Sequence, residues 1–190
     1  TLLDAYVSGT DYVGALAGYS RESTISGITC ENSPSYRSVE TSGRMLGVYG
    51  QDSVGGIVGR NDLSIIEDCK NSTYVNGRDY VGGITGTNYV ESGVAVRELS
   101  PEPEYTSTVS RCVNDGTVYG INCIGGIVGG NGYSYPSAES EYIHATDTPA
   151  YISQCINEGI VEAEGAMPLA YISSEKIGGI VGVSTGTVSE

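Results

Sequence analysis

The sequence predicts an all-β fold in which short strands coil into a solenoid and successive coils stack on one another. Three observations predict it: a glycine-rich motif that recurs five times, a cysteine–asparagine motif between its copies, and apolar spacing that fits neither a helix nor a long strand. Self-similarity at intervals of a few tens of residues is typical of architectures whose units cannot bury an apolar face without neighbours. Stacking of like units is therefore the central expectation.

The first motif has the form Val-Gly-Gly-Ile-Val-Gly, with variations at most positions. Its five copies begin at Val13, Val54, Val81, Ile124 and Ile177. The fourth position is always large, whereas the fifth accepts small or polar residues. We therefore predict that the fourth position points into the core (Leu16, Ile57, Ile84, Ile127 and Ile180). Because glycine tolerates positive φ, the glycine pairs are expected to bend the chain there.

The second motif is a β-branched residue, two variable residues, Cys, one variable residue and Asn. Its copies begin at Ile66, Val109 and Ile152. The segment Cys30-Glu31-Asn32 resembles a fourth, looser copy, with Gly27 in place of the β-branched residue. On this interpretation four cysteines occupy equivalent places in successive coils.

The tightest repeat runs from Val54 to Val81, which is 27 residues. Its apolar positions follow steps of three, six and nine, which indicates about three short strands per coil separated by corners. We predict a single domain over residues 1–190, with about 4–5 coils of roughly 27 core residues stacked one strand spacing apart. Like residues then form ladders, which we expect at Val54, Ile57, Ile66, Cys69, Asn71, Val75, Cys112, Asn114, Cys155 and Asn157.

The motif at Val54–Gly59 and the Cys69-Lys70-Asn71 segment resemble the GLUG repeat of large bacterial cell-surface proteins. That family includes adhesin-like proteins and the non-catalytic region of proteases that cleave immunoglobulin A1. The resemblance implies a right-handed parallel β-helix-like solenoid, an extracellular location on the bacterial surface, and a structural or adhesive role. It transfers no catalytic residue, and the zinc motif His-Glu-x-x-His of the protease members has no counterpart, since His144 is the only histidine.

Composition narrows the partners that the chain can take. The formal net charge is −14, whereas binding to nucleic acid needs clustered Lys and Arg. No apolar run approaches the length of a membrane span, so direct membrane insertion is not expected. Adjoining domains of the same polypeptide remain expected partners, because the chain begins part-way into a repeat and ends like the start of another strand.

The five cysteines are expected to be reduced, and no metal site is expected. Side chains stacked one strand spacing apart lie farther apart than a disulfide prefers, and a ladder does not converge on one metal ion. Cys123 falls outside the motif, at a position that is variable among the repeats, and we expect it to be an exposed free thiol.

Four insertions interrupt the repeats, at residues 33–46, 87–108, 130–151 and 162–170. The second and third occupy the same place in adjacent coils and should lie side by side; the first and fourth should share another corner. Long loops on a rigid scaffold often carry binding function, and Tyr beside carboxylates suits a sugar or a cation. The candidate ligand-binding residues are Tyr89, Glu102, Glu104, Tyr105, Tyr133, Tyr135, Glu139, Glu141 and Tyr142.

The sequence thus favours a non-catalytic structural or adhesive module without a cofactor. One alternative is a module that uses the loops 87–108 and 130–151 to bind a host or matrix glycan or protein. A second is a polysaccharide-degrading β-helix enzyme, for which the candidate carboxylates lie in loops and not on strand faces. The glycine motif lacks the helix and the Lys-Ser/Thr pair of a phosphate-binding loop.

Overall fold

The computed structural model describes residues 1–33, 45–90, 106–132, 150–163 and 176–190. These residues form twenty-five strands and no helix, and so no helix among them could cross a membrane. The chain passes through five strands in each of five coils. The fold class predicted from the sequence is confirmed: the protein is an all-β parallel solenoid.

The strands of the first two coils are β1 (Leu2–Leu3), β2 (Tyr6–Ser8), β3 (Asp11–Gly14), β4 (Ala17–Arg21), β5 (Thr24–Ser26), β6 (Thr29–Glu31), β7 (Gly47–Tyr49), β8 (Asp52–Gly55), β9 (Val58–Asp62) and β10 (Ile65–Glu67). Those of the third coil are β11 (Lys70–Asn71), β12 (Tyr74–Asn76), β13 (Asp79–Gly82), β14 (Thr85–Tyr89) and β15 (Ser107–Ser110). Those of the last two are β16 (Val113–Asn114), β17 (Val118–Gly120), β18 (Asn122–Gly125), β19 (Val128–Asn131), β20 (Ala150–Ser153), β21 (Ile156–Asn157), β22 (Val161–Ala163), β23 (Ile177–Gly178), β24 (Val181–Ser184) and β25 (Thr187–Ser189).

Every fifth strand joins the same sheet, so the five sheets each contain one strand from every coil. We name them in the order in which the chain visits them: sheet A (β1, β6, β11, β16, β21), sheet B (β2, β7, β12, β17, β22), sheet C (β3, β8, β13, β18, β23), sheet D (β4, β9, β14, β19, β24) and sheet E (β5, β10, β15, β20, β25). All pairings are parallel, because each coil runs in the direction of the one before it.

The register between coils stacks like residues on one another. In sheet C the first residues of the five glycine motifs lie in one column: Val13, Val54, Val81, Ile124 and Ile177. In sheet A, Asn71, Asn114 and Asn157 do the same. The in-register stacking of coils expected from the sequence is confirmed.

The core lies inside the coils and has two parts. One part packs between sheets D, E and A and includes Ile57, Ile66 and Cys69; the other packs between sheets B and C and includes Val54 and Val75. Ile57, Ile84 and Ile127 are 0% exposed, so the prediction that the fourth motif position points inward is confirmed for the three central coils.

The number of strands per coil was predicted wrongly: the structure has five where the spacing indicated about three. Most of the residues with positive φ are of types that do not favour turns. Tyr12, Ser53, Tyr80 and Cys123 adopt φ between 52° and 54° inside the sheet C strands, one residue before the column. At the missed corner between sheets E and A, Asp68, Arg111 and Gln154 adopt φ between 50° and 53°, and of these three only Asp68 is of a type that favours turns.

The motif glycines are needed for close packing and not, as expected, for positive φ, which none of them adopts. At Gly56 an added Cβ would lie 2.2 Å from the carbonyl oxygen of Gly83 in the next coil and 2.5 Å from Cγ of Asn71. Stacked backbones at this bend therefore leave no room for a side chain.

The interpretation of Cys30-Glu31-Asn32 as a copy of the cysteine motif is wrong. Cys30 pairs in register with Asn71, and Ile25 pairs with Ile66. Gly27 (φ 67°) occupies the same corner as Asp68, which fixes this register and places Ile28, not Cys30, at the position of Cys69. Three cysteines, and not four, share a column.

Candidate functional site

The two insertions with candidate ligand-binding residues leave from the same corner of the solenoid. Both 87–108 and 130–151 connect sheet D to sheet E, in the third and fourth coils. Asn88 pairs in register with Asn131 on one side of the corner, and Ser107 pairs with Ala150 on the other. The strands include the ends of both ranges, up to Tyr89 and from Ser107 in the first, and up to Asn131 and from Ala150 in the second.

Of the nine candidate residues, Tyr89 is described by the structure. The other eight lie outside the described residues: Glu102, Glu104, Tyr105, Tyr133, Tyr135, Glu139, Glu141 and Tyr142. The structure therefore locates where these loops leave the solenoid.

Tyr89 lies at the end of β14, and its side chain is 4% exposed. The guanidinium carbon of Arg60 lies 4.2 Å from the centre of its ring, in the geometry of a cation–π contact. Its carbonyl oxygen accepts a hydrogen bond of 2.7 Å from the Ser107 hydroxyl. Tyr89 and Ser107 thus close the base of the insertion, and the buried Tyr89 ring serves packing at that base.

Arg60 on sheet D lies among three aromatic rings, those of Tyr19 and Tyr89 on the same sheet and that of Tyr12 on sheet C. Its guanidinium carbon lies 5.2 Å from the ring centre of Tyr12 and 5.1 Å from that of Tyr19. The Tyr19 hydroxyl donates a hydrogen bond of 2.6 Å to Asp62, and burial together with Asp62 raises the pKa of Tyr19. Together with Tyr89 these residues form one aromatic cluster beside the corner.

A column of buried asparagines supports the corner from inside. The side-chain amide of Asn61 donates to the amide oxygen of Asn88, and Asn88 donates in turn to Asn131, each at 2.8 Å. Asn88 also donates to the backbone carbonyl of Ser107 at 3.2 Å, across the corner. The three asparagines are 0% exposed, so their amides fix the turn between sheets D and E in successive coils. Sequence reasoning missed this column, although Asn recurs there in three coils.

The sequence suggested that the first and fourth insertions share a corner, and this expectation is wrong. Range 33–46 lies between β6 and β7 and connects sheet A to sheet B. Range 162–170 begins within β22 and leads from sheet B toward sheet C. The two ranges were expected at one corner because the sequence indicated about three corners per coil, whereas the structure has five.

A cavity of about 650 Å³ lies on the outer side of sheet A. Its lining includes Glu31, Lys70, Ser72 and Asp115, and the Lys70 ammonium lies 2.7 Å from the Asp115 carboxylate. Burial acts to raise the pKa of Asp115, but the hydrogen bonds from Lys70 and Ser72, together with the charge of Lys70, lower that pKa below its usual value. The two charges satisfy each other across neighbouring coils.

The outer side of sheet C carries a column of carboxylates, Asp11, Asp52 and Asp79, followed by Asn122. Arg78 binds two of them, with its Nε 2.7 Å from Asp79 and its Nη2 3.3 Å from Asp52. Burial and the neighbouring Asp79 raise the pKa of Asp52 against the opposing effect of Arg78. Within the described ranges, no group of three or more His, Cys, Asp or Glu side chains is arranged to hold a metal ion.

The five cysteines are free thiols. Cys69, Cys112 and Cys155 form the column between sheets E and A, and each thiol lies 3.1–3.3 Å from the carbonyl oxygen two residues earlier. Cys123, expected to be exposed, is 7% exposed, and burial raises its pKa. It is covered because Gly182 of the last coil packs against its backbone, where an added Cβ would lie 2.5 Å from the Cys123 carbonyl carbon.

Together these features define a parallel β-solenoid with paired insertions at one corner. Comparison of the chain with protein-family models, with curated proteins and with solved structures finds no match. What the chain does must therefore be argued from its own residues and geometry.

Proposed function

We propose that this chain is a non-catalytic structural or adhesive module of a bacterial cell-surface protein. The observation that carries the proposal is the in-register stacking of five coils through five sheets, which yields a scaffold that can be extended by further coils of the same kind. The resemblance of its motifs to surface repeats supports the bacterial and extracellular part.

Side-chain contacts between neighbouring coils support the structural role. Beyond the backbone ladders, Arg111 contacts Asp68 at 2.8 Å and Glu67 at 2.6 Å in the coil before it. Lys70 reaches Asp115 in the coil after it. Exposed ion pairs contribute about 0–1 kcal/mol each, so their part is to resist slippage between coils more than to add stability. The asparagine columns add buried, directional ties of the same kind.

The location and the absence of catalysis can be tested together. Antibodies raised against the purified chain should label intact cells of the source bacterium, and the chain should release no reducing ends from neutral or acidic polysaccharides. Labelling that appears only after lysis would contradict the surface location. Turnover of any polysaccharide would contradict the non-catalytic role.

A second candidate function is binding of a host or matrix glycan or protein through the loops 87–108 and 130–151. The observation that favours it is their departure from one corner of adjacent coils, which brings the bases of both loops together. Saturable binding on a glycan or matrix-protein array that is lost when Tyr133, Tyr135 and Tyr142 are replaced by Ala would support it. The absence of binding on both arrays would contradict this second function and leave the structural role as the only one supported.

A further inference from the structure

A row of tyrosines crosses the outer side of sheet B, away from the corner that carries the paired loops. We define the tyrosine row as Tyr6, Tyr49, Tyr74 and Tyr119, one from each of the first four coils. Side chains alternate between the two sides of a strand, and the neighbouring Val48, Val75 and Val118 point into the core. The tyrosines therefore face outward.

The first three rings of the row are in contact. The ring centres of Tyr6 and Tyr49 are 5.4 Å apart, and those of Tyr49 and Tyr74 are 5.9 Å apart. Tyr6 and Tyr74 both pair in register with Gly47, and Tyr49 lies two residues after that glycine in the strand between them. The result is an aromatic strip along the solenoid axis, without a cleft between its first rings.

The first three tyrosines of the strip lie in strands without charged residues, in a strongly acidic protein. Glu162 is the one charged residue in the five strands of sheet B, and it lies in the last coil, in register with Tyr119 at the end of the row. Burial, with smaller contributions from Tyr74 and Tyr6, raises the pKa of Tyr49, so its hydroxyl stays protonated. A chain with a net charge of −14 repels anionic polymers, whereas this surface suits an uncharged one.

The polar atoms of the row are hydroxyl and amide groups. The Asn76 amide lies in β12 between Tyr49 and Tyr119 and donates to the Tyr74 hydroxyl at 3.1 Å. The Tyr49 hydroxyl donates to the Met45 carbonyl at 2.8 Å. These bonds hold the two rings in place, while the Tyr49 oxygen can still accept and the Tyr74 hydroxyl can still donate a hydrogen bond toward a hydroxylated ligand.

We propose that the tyrosine row binds an uncharged, linear polysaccharide whose sugar rings lie on the tyrosine rings. The ring-to-ring distances are comparable with the length of one sugar unit in an extended chain. Four coils span about 14 Å at the usual strand spacing, which is room for roughly three to four units. A contiguous strip favours a flat sugar over a proline-rich peptide, because such peptides dock in grooves between aromatic side chains.

The test is affinity electrophoresis of the folded chain in native gels that contain dextran, galactomannan, arabinoxylan or laminarin, with polygalacturonate as an anionic probe. At least one neutral polymer should retard the chain, and polygalacturonate should not. The double variant Tyr6→Ala/Tyr74→Ala should bind the retarding polymer about tenfold more weakly or worse, from the contribution of two aromatic contacts. Oligosaccharides of that polymer should bind more tightly up to about four units and then no further.

Matched variants separate the row from other surfaces. Tyr151→Ala is the control, because Tyr151 on sheet E is 40% exposed, as Tyr6 is. It should leave retardation unchanged, as should Ala at Tyr133, Tyr135 and Tyr142 in the paired loops. The double variant Tyr6→Phe/Tyr74→Phe keeps both rings and should retain most of the binding; circular dichroism and urea midpoints verify that each variant is folded.

Four outcomes would overturn the proposal: no retardation by any neutral polymer, equal retardation of the folded Ala double variant and the wild type, loss of binding in the Tyr151 control, or binding to a polyproline peptide alone. Failure here leaves the structural role untouched, because that role is tested by surface labelling. Loss of binding only in the loop variants would instead support the second candidate function.

Discussion

The central coils and the terminal coils carry the same motifs, yet the motifs have different surroundings. In the second to fourth coils Ile57, Ile84 and Ile127 are 0% exposed, whereas Leu16, their counterpart in the first coil, is 41% exposed. At the other end Ile177 is 48% exposed although Val54, Val81 and Ile124 of the same column are 0% exposed. Burial in this fold is therefore supplied by the neighbouring coils and not by the coil itself.

The glycines repeat the comparison at atomic scale. A Cβ at Gly83 would lie 2.2 Å from the Gly126 carbonyl oxygen and 2.3 Å from Cγ of Asn114. A Cβ at Gly179, the same motif position in the last coil, would meet nothing within 4 Å. The same residue is thus sterically required in one coil and free of that requirement in another, and variants in the central and terminal coils can test the difference.

The largest effect is expected from truncation of the core isoleucine. Ile84→Ala should lower the free energy of unfolding by about 4 kcal/mol, because it leaves a cavity between two packed coils. Leu16→Ala should cost about 1 kcal/mol, since much of that side chain already contacts water. Urea denaturation followed by circular dichroism measures both; equal costs would contradict the difference in burial.

Substitution of the motif glycine should follow. Gly83→Ala should destabilise the chain by about 3 kcal/mol through overpacking against backbone that cannot move aside. Gly179→Ala is the matched control and should change stability by less than about 0.5 kcal/mol. A neutral Gly83→Ala variant would show that the coils are not stacked as closely as the structure has them.

Cys30, in the second coil, gives a dependence on alkaline pH. Burial raises the pKa of Cys30 to about 11 from 9.0, so above pH 9 the unfolded chain loses this proton first. Unfolding is then favoured, and stability falls as the pH rises from 9 toward 11, by about 1 kcal/mol near pH 10.

Comparison of the wild type with Cys30→Val in urea at pH 8, 9 and 10 isolates this contribution. The Val variant keeps the apolar volume and removes the titrating thiol, so it should lose less stability over the range. Parallel losses in both proteins would show that Cys30 is not buried.

The smallest expected effect is a gain at the first coil. Ser20 pairs in register with Asn61, and the Ser20 hydroxyl oxygen and the Asn61 amide oxygen are buried without a hydrogen-bond partner. Ser20→Asn would place an amide where Asn61 and Asn88 donate to their own successors, and should stabilise the chain by about 1 kcal/mol. Ser20→Ala leaves Asn61 unpaired and is the control; no gain from Asn relative to Ala would mean that the column cannot be extended.

Much of this fold could be predicted because stacking repeats a sequence as well as a structure. The columns at Val54 and Asn71 were visible as recurring letters. The corners and the residues with positive φ were not visible in this way. A residue such as Arg111 or Tyr80 adopts positive φ only when the adjoining coils hold it there. Cys30 was misassigned because a nearby Asn completed a Cys-x-Asn pattern, while the alignment of Ile25 with Ile66 carried the true register.

The candidate site was less predictable than the fold. The common corner of the paired loops followed from their equal spacing within the repeat. The tyrosine row could not be inferred, since Tyr6 and Tyr49 occupy different positions in their strands and come into contact only in the register that the stacked coils adopt. To predict contacts that depend on the register between coils, the number of corners in each coil must be known. The spacing of apolar residues did not supply that number.

The common orientation of the side-chain amides gives the solenoid a net dipole along its axis. In both asparagine columns the donor lies in the earlier coil and the acceptor in the later one. Asn61 donates to Asn88, which donates to Asn131; likewise Asn71 donates to Asn114, which donates to Asn157. Amides linked in this way polarise one another, so their dipoles add along both columns instead of cancelling. The two ends of the molecule are thus inequivalent in field as well as in shape, and each additional coil with the same asparagines would increase that asymmetry.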